Sequence, residues 1–149
     1  GLMTGEYFEF KGEIFNIDAI KICPVPNKKV PLLVGGHAKP ALRRAAQLGD
    51  GWIAAGAKSD QLNQMIGQIN EYRKACQRDH LPFENQAMSA EAFSLDGLET
   101  LADAGINEVI IAFRNPYEKT PDTQTIEEKI GMINWYADTI INPYRERYG

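Results

Sequence analysis

Apolar residues along this chain follow two alternating patterns. Short apolar or alternating runs, which are typical of strands, occupy residues 32–34, 52–55, 86–93 and 108–113. Apolar repeats with three- and four-residue spacing, which predict helices, occupy residues 40–48, 60–77, 95–104 and the segment from 125 onward. The chain therefore reads as four strand–helix units in a row, and such units require a parallel sheet with right-handed crossovers.

Turn signals divide the sequence around these units. Residues 7–10 and 13–17 flank Lys11-Gly12, which predicts an antiparallel hairpin. Residues 23–29 hold two prolines and two lysines, so we expect an irregular connector there. We predict a single domain over residues 1–149, in which 1–31 are the hairpin and connector and 32–149 are the strand–helix units.

Helix-end signals support the predicted helices. Pro40 suits a first helical position, and Gly105 is expected to end the helix before it. Thr125 and Glu128 have capping-box spacing, and Pro143 is expected to end or kink the last helix. The predicted apolar face of that helix comprises Ile126, Ile130, Ile133, Ala137, Ile140 and Ile141.

Two closures of the parallel sheet fit this pattern. One is a small doubly wound sheet with a switch point, which would bind a phosphorylated ligand at Gly35-Gly36. The other is half of an eight-stranded barrel, because a complete (β/α)8 barrel takes about 250 residues and this chain has 149. The residues alone leave both possibilities open.

Composition narrows the class of protein. The chain is 44% hydrophobic and 24% charged with a formal net charge of -4, which fits an ordinary soluble domain. The sequence has no run of basic residues of the kind that binds nucleic acid. Its longest apolar run is far shorter than a membrane span. Cys23 and Cys76 are isolated, which favours reduced thiols and a cytoplasmic location, and with two histidines they do not form a metal set.

Several motifs at fixed spacing resemble one known family. They are Gly5-Glu6-Tyr7-Phe8-Glu9-Phe10-Lys11-Gly12, Leu32-Leu33-Val34-Gly35-Gly36, Arg43-Arg44-Ala45-Ala46, Gly49-Asp50-Gly51-Trp52 and Ala104-Gly105-Ile106-Asn107-Glu108-Val109-Ile110. Together they resemble the second half of the luciferase-like flavin- and deazaflavin-dependent oxidoreductases, over residues 5–113. The resemblance implies an α/β fold in which four βα units form the second half of a (β/α)8 barrel behind a β-hairpin.

The resemblance also has consequences for assembly. It implies that the first four barrel strands lie outside this sequence, and Leu2-Met3 resembles the end of a helix that began upstream. We therefore expect a fragment of a longer enzyme, weakly active or inactive alone. Exposed edge strands pair readily with another chain. A homodimer, or association with the missing amino-terminal half-barrel, is the expected assembly.

A candidate cofactor site follows the strand at residues 32–34. Gly35 and Gly36 follow this strand and come just before a predicted helix, where backbone N–H groups can hold an anion. The resemblance implies that they contact the phosphate of FMN or of a deazaflavin of the coenzyme F420 type; the alternative is a tight turn that needs glycine. His37 could donate a hydrogen bond to the same anion, or be a plain surface histidine.

Other candidates lie near the carboxyl ends of later strands. Ala54, Ala55 and Gly56 would leave room for the cofactor at the face where barrel active sites form. Lys58 and Arg114 are candidate contacts for an anionic small-molecule substrate, with surface roles as the alternative. The family implies hydride transfer at the cofactor ring, with catalytic residues largely on the absent half. A reduced barrel that binds flavin without turnover is the second hypothesis.

Overall fold

An antiparallel hairpin forms the first part of the chain. The structure, a computed structural model, describes residues 1–115 and 118–149 and divides into two units, Gly1–Pro31 and Leu32–Gly149. In the first unit a 3-10 turn, Leu2–Thr4, is followed by strands β1 (Phe8–Lys11) and β2 (Asn16–Ile20). The predicted hairpin is confirmed, although its second strand starts at Asn16 rather than residue 13. The Gly12 N–H donates to the Phe15 carbonyl at 2.9 Å, which places residues 12–15 in the turn.

Four strand–helix units in sequence order build the second unit. Their elements are β3 (Leu33–Gly35), α1 (Lys39–Leu48), β4 (Gly51–Ala55), α2 (Ser59–Ala75), β5 (Glu84–Met88), α3 (Leu95–Asp103), β6 (Glu108–Val109) and α4 (Ile126–Tyr136). The strands are parallel and lie in the order β3-β4-β5-β6. This order has no switch point, so the described sheet is half of a barrel rather than a doubly wound sheet. The expectation of one domain over residues 1–149 stays a prediction.

The hydrophobic core lies on one face of this sheet. Alternate strand residues, Trp52, Ala54 and Ala87, are fully buried among helix residues, and successive strand side chains point to opposite faces. The helix residues of this core include Leu42, Ala45, Ala46, Leu62, Ile66, Ile69 and Leu101. The other face, here called the inner face, carries the intervening residues Leu33, Ile53, Gln86, Met88 and Glu108. It corresponds to the interior of a complete barrel.

Two predicted strands are shorter than the sequence suggests. The prediction of a strand over 108–113 is wrong beyond Val109, because β6 pairs with β5 on one side and β5 ends at Met88. The Ile110 N–H still donates to the Ala87 carbonyl at 2.8 Å. The strand predicted over 86–93 is Glu84–Met88 followed by a 3-10 turn, Ala90–Phe93, whose first residues are held by the Ser89 side chain.

The last helix starts where it was predicted to start, but only part of its predicted apolar face is buried. Thr125 caps α4 and forms the expected capping box with Glu128. However, Ile126, Ile130 and Ile133 are half or more exposed, whereas Tyr136 and Ile140 are buried. The helix does not end at Pro143. A π turn, Ala137–Ile141, precedes this proline and α5 (Asn142–Tyr148) continues the helix, since a wider turn accommodates a residue without an N–H.

Candidate functional site

The Gly35-Gly36 turn connects β3 to α1 at the carboxyl edge of the sheet. Gly36 has a φ of +117°, a backbone conformation that favours glycine, and a Cβ there would lie 3.0 Å from the Ala41 Cβ. A Cβ on Gly35 would meet one atom within 4 Å, the Ile53 carbonyl oxygen at 4.0 Å. Gly36 is therefore required by the turn itself, while the space before Gly35 is open.

Two side chains fix this turn against β4. The Trp52 indole is fully buried, and its Nε1–H donates to the Gly36 carbonyl at 2.8 Å. The His37 Nε2 accepts from the Ala55 N–H at 3.3 Å, and the His37 ring lies edge-on to Trp52 with centroids 6.3 Å apart. Because Nε2 is an acceptor here, Nδ1 is the imidazole nitrogen that is able to donate to a ligand.

The N-terminus of α1 has the features of an anion site. Its N-cap residue, Ala38, makes no side-chain capping hydrogen bond, so the first-turn N–H groups are not satisfied by a cap. Lys39 adds a positive charge at the first helical position, and Pro40 follows it inside the helix. The helix dipole favours negative charge at this end.

A pocket lies at the carboxyl ends of β4 and β5 and brings three of the predicted site residues together. Ala55, Gly56 and Arg114 line a cavity of about 350 Å³, called here the edge pocket. Its other lining residues are Met88, Ser89, Ala90, Phe93, Ile110, Ala112 and Asn115. Ala54 does not reach it, because its side chain is fully buried in the helix-side core.

Lys58 and Arg114, the two residues predicted to contact an anionic substrate, differ in what their side chains contact: partners are found for the Arg114 guanidinium. Lys58 is the N-cap residue of α2, and its backbone N–H donates to Gln61 Oε1 at 3.3 Å. The Arg114 guanidinium lies 3.7 Å from a Glu118 carboxylate oxygen and 3.9 Å from one of Asp122, and it donates to the Thr120 carbonyl. These contacts favour the surface role of Arg114.

Glu91 falls within the strand that the sequence pattern predicts over residues 86–93. It lies instead in the 3-10 turn, where its two oxygens accept from the Ser59 N–H at 3.0 Å and the Ser59 hydroxyl at 3.1 Å. A carboxylate at the N-terminus of α2 is stabilised by the helix dipole. Glu91 therefore joins α2 to the segment after β5, and no local sequence signal connects residues so far apart.

The inner face of the sheet is acidic at its amino end. Gln86 Nε2 donates to carboxylate oxygens of both Glu84 and Glu108, at 2.7 Å in the latter case. A hydrogen bond to Glu84 and its negative charge raise the pKa of Glu108, whereas the hydrogen bond with Gln86 lowers the pKa of Glu84. These groups lie at the opposite end of the strands from the glycine turn.

A cluster of aromatic rings was not predicted from the sequence. Phe93 follows β5, Phe113 follows β6, and Trp135 and Tyr136 end α4. Their ring centroids lie 5.7–6.4 Å apart in five pairs. The rings come from three separate segments, so no periodicity in the sequence could bring them together.

Comparison with known proteins identifies the family. A model of the family described as "Luciferase-like monooxygenase" matches residues 1–119, most of the chain. The chain belongs to this family. Members similar to it include an uncharacterized protein of Mycobacterium tuberculosis, 41% identical over 141 residues, which are 95% of this chain and 48% of that protein. This luciferase-like chain thus spans about half the length of the curated relatives it matches.

Other relatives carry functional names. The F420-dependent glucose-6-phosphate dehydrogenase 2 of Rhodococcus jostii is 29% identical over 80 residues, covering 52% of this chain and 24% of that one. The F420-dependent tetrahydromethanopterin reductase of Methanopyrus kandleri superposes with a TM-score of 0.68 at 12% identity, over 96% of this chain and 60% of that one. The structural likeness supports the luciferase-like half-barrel fold.

Within residues 1–115 and 118–149, no helix combines the length and apolar character that crossing a bilayer requires. Within the same residues, no three or more His, Cys, Asp or Glu side chains are grouped so that they could hold a metal ion.

Proposed function

We propose that this chain is the carboxyl-terminal half of a flavin- or deazaflavin-dependent oxidoreductase and holds the phosphate of the cofactor at Gly35-Gly36. The observation that carries the proposal is the uncapped N-terminus of α1 directly behind an open glycine at the carboxyl edge of the sheet. Backbone N–H groups there, with Lys39 and the His37 Nδ1, are a suitable cradle for a phosphate. When bound, the cofactor would supply hydride transfer at its ring.

The chain's own residues would position the cofactor rather than react with it. Trp52 and His37 hold the turn against β4 through their hydrogen bonds, so the phosphate-binding N–H groups are fixed before the ligand arrives. Small residues at Ala55 and Gly56 leave the edge pocket open for the remainder of the cofactor or the substrate. Relatives named as F420-dependent favour a deazaflavin over FMN.

Titration of the purified chain with coenzyme F420, and in parallel with FMN, tests this proposal. We expect saturable binding, followed by cofactor absorbance and fluorescence, with the deazaflavin bound more tightly. Gly36→Val should abolish it, because valine is strained at a φ of +117° and would clash with Ala41. Retained binding in that variant would place the phosphate elsewhere.

Turnover separates the two classes of function. The enzyme hypothesis predicts that the complete protein reduces or oxidises its bound cofactor when a substrate is present. The alternative, a non-catalytic flavin-binding scaffold, predicts the same binding without any change in cofactor redox state.

We further propose that the half-barrel associates with a second half, either another copy of the chain or an amino-terminal half. Strands β3 and β6 are the two ends of the described sheet and each has a partner on one side. Three isoleucines of α4 are also exposed, and large exposed apolar patches mark interaction surfaces.

Sedimentation of the purified chain tests self-association. We expect a species of twice 16.6 kDa, and Ile130→Lys should shift it toward the monomer because a charge would be buried in the contact. Glu71→Lys, on the exposed side of α2, is the control and should leave the dimer intact. A monodisperse monomer of the unaltered chain would contradict the homodimer and leave the amino-terminal half as the partner to test by co-expression.

A further inference from the structure

A second pocket adjoins the edge pocket and is lined by the aromatic cluster. It has a volume of about 460 Å³ and is lined by Phe93, Phe113, Gln124, Glu128, Gly131, Met132 and Trp135. Phe93 also lines the edge pocket, so the two cavities share one wall. A ligand in the edge pocket could therefore extend into this second cavity, here called the aromatic pocket.

The aromatic pocket has a rigid base and an accessible wall. Tyr136 is buried against Phe93 and Phe113, and its hydroxyl donates to the Ala92 carbonyl at 2.8 Å. Trp135, its neighbour, is 48% exposed and lies nearly parallel to Phe93, with an interplanar angle of 20°. A half-exposed indole held by a packed aromatic base offers a flat surface for stacking at little entropic cost.

The polar groups of the pocket already have partners. The Glu128 carboxylate accepts from the Thr125 N–H at 2.7 Å in the capping box. The Gln124 amide nitrogen lies 3.3 Å from the Met132 sulfur. The negative charge of Glu128 disfavours an anionic ligand, and the remaining lining is apolar or aromatic. The chemistry of the pocket therefore matches an uncharged aromatic ring.

We propose that the aromatic pocket binds a flat, uncharged aromatic ring of the substrate while the reacting part of the same molecule reaches the edge pocket. This assignment rests on the proposed function, since it names the substrate class of that site. The cavity volume suits one or two fused rings. Trp135 and Phe93 would be binding residues that set specificity, and neither takes part in the chemical step.

Binding of 2-naphthol to the full chain, measured by calorimetry, tests the proposal without any cofactor. We expect saturable binding that weakens about tenfold in Trp135→Leu and much less in Trp135→Phe, because phenylalanine keeps a stacking surface. Decahydro-2-naphthol, which has the same size without aromaticity, and the anion 2-naphthoate should both bind at least several-fold more weakly.

A matched pair of glycine variants tests the position of the ring without removing an aromatic residue. Gly131 lines the pocket and a Cβ there has no atom within 4 Å, so Gly131→Leu should fold, fill the cavity and reduce 2-naphthol binding at least tenfold. Gly67 lies on α2 with the same open surroundings, and Gly67→Leu should leave binding unchanged.

The outcomes separate this inference from the proposed function. Absence of 2-naphthol binding, equal binding of the saturated analogue, or no effect of both Trp135→Leu and Gly131→Leu would overturn the aromatic pocket. Loss of ring binding in these variants with normal coenzyme F420 binding supports two distinct subsites. Ring binding in a chain that binds neither F420 nor FMN would support the pocket and overturn the proposed function.

Discussion

Replacing Gly51 with alanine is expected to destabilise the protein by about 3 kcal/mol, as overpacking of a well-packed core does. A Cβ at this position would lie 2.5 Å from the Glu84 carbonyl oxygen and 3.0 Å from the Leu33 Cγ. The first of these contacts is with backbone on the neighbouring strand, so it is relieved only if β4 and β5 separate. The midpoint of urea unfolding, followed by far-ultraviolet circular dichroism, measures the loss.

Gly67→Ala is the matched control for this experiment. Gly67 lies on the exposed side of α2 with no atom within 4 Å of the added Cβ, so alanine there should stabilise the helix by about 0.5–1 kcal/mol. An unfolding midpoint for Gly51→Ala equal to that of the unaltered chain would show that the strands move apart readily and would contradict the prediction.

The Gly49-Asp50-Gly51-Trp52 motif has a structural role in joining β3 to β4. The Asp50 carboxylate accepts from the Leu32 N–H at 3.0 Å, and the Asp50 N–H donates to the Leu32 carbonyl at 2.8 Å. Trp52 then bonds the Gly36 carbonyl at the far end of β3. The motif therefore fixes β3 against β4 at both ends and holds the candidate phosphate turn in place.

Local patterns predicted most of the fold because each unit depends on its own sequence. The apolar repeat over residues 40–48 predicted a helix, which α1 confirms with Leu42, Ala45 and Ala46 buried, and the capping box at Thr125 is present. The failures involve partners from elsewhere. The β-branched run after Glu108 favours a strand, yet β5 ends too early to pair with all of it. The isoleucines of α4 form an apolar face that the described residues leave exposed.

The features of the candidate site likewise fall into those with a local sequence signal and those that join distant segments. The Gly35-Gly36 turn was predictable because a glycine pair between a strand and a helix is a local signal with a physical cause. Glu91 on Ser59 and the rings around Tyr136 join segments 32 to 44 positions apart, and pairings at such distances leave no local pattern. The sequence therefore predicted the candidate cofactor turn and three lining residues of the edge pocket, but not the aromatic cluster that lines the second pocket.

Gly35→Ala is expected to leave stability unchanged and to weaken coenzyme F420 binding at least tenfold. The added methyl group would meet one atom of the chain, the Ile53 carbonyl oxygen at 4.0 Å, so the fold itself has room for it. A phosphate held against the N–H groups of the turn would not have that room, because the ligand must approach the backbone closely. Parallel titrations of the variant and the unaltered chain, with unfolding curves for both, measure the two effects.

This variant is the sharper test of the phosphate turn because it separates ligand contact from backbone strain. At Gly36 any side chain is strained by the φ of +117°, so lost binding there could arise from a displaced turn. Gly35 has no such constraint, and Gly67→Ala controls for the loss of a glycine elsewhere. If a stable Gly35→Ala chain bound coenzyme F420 as tightly as the unaltered chain, the phosphate would not lie at this turn. The edge pocket around Gly56 would then be the next place to test.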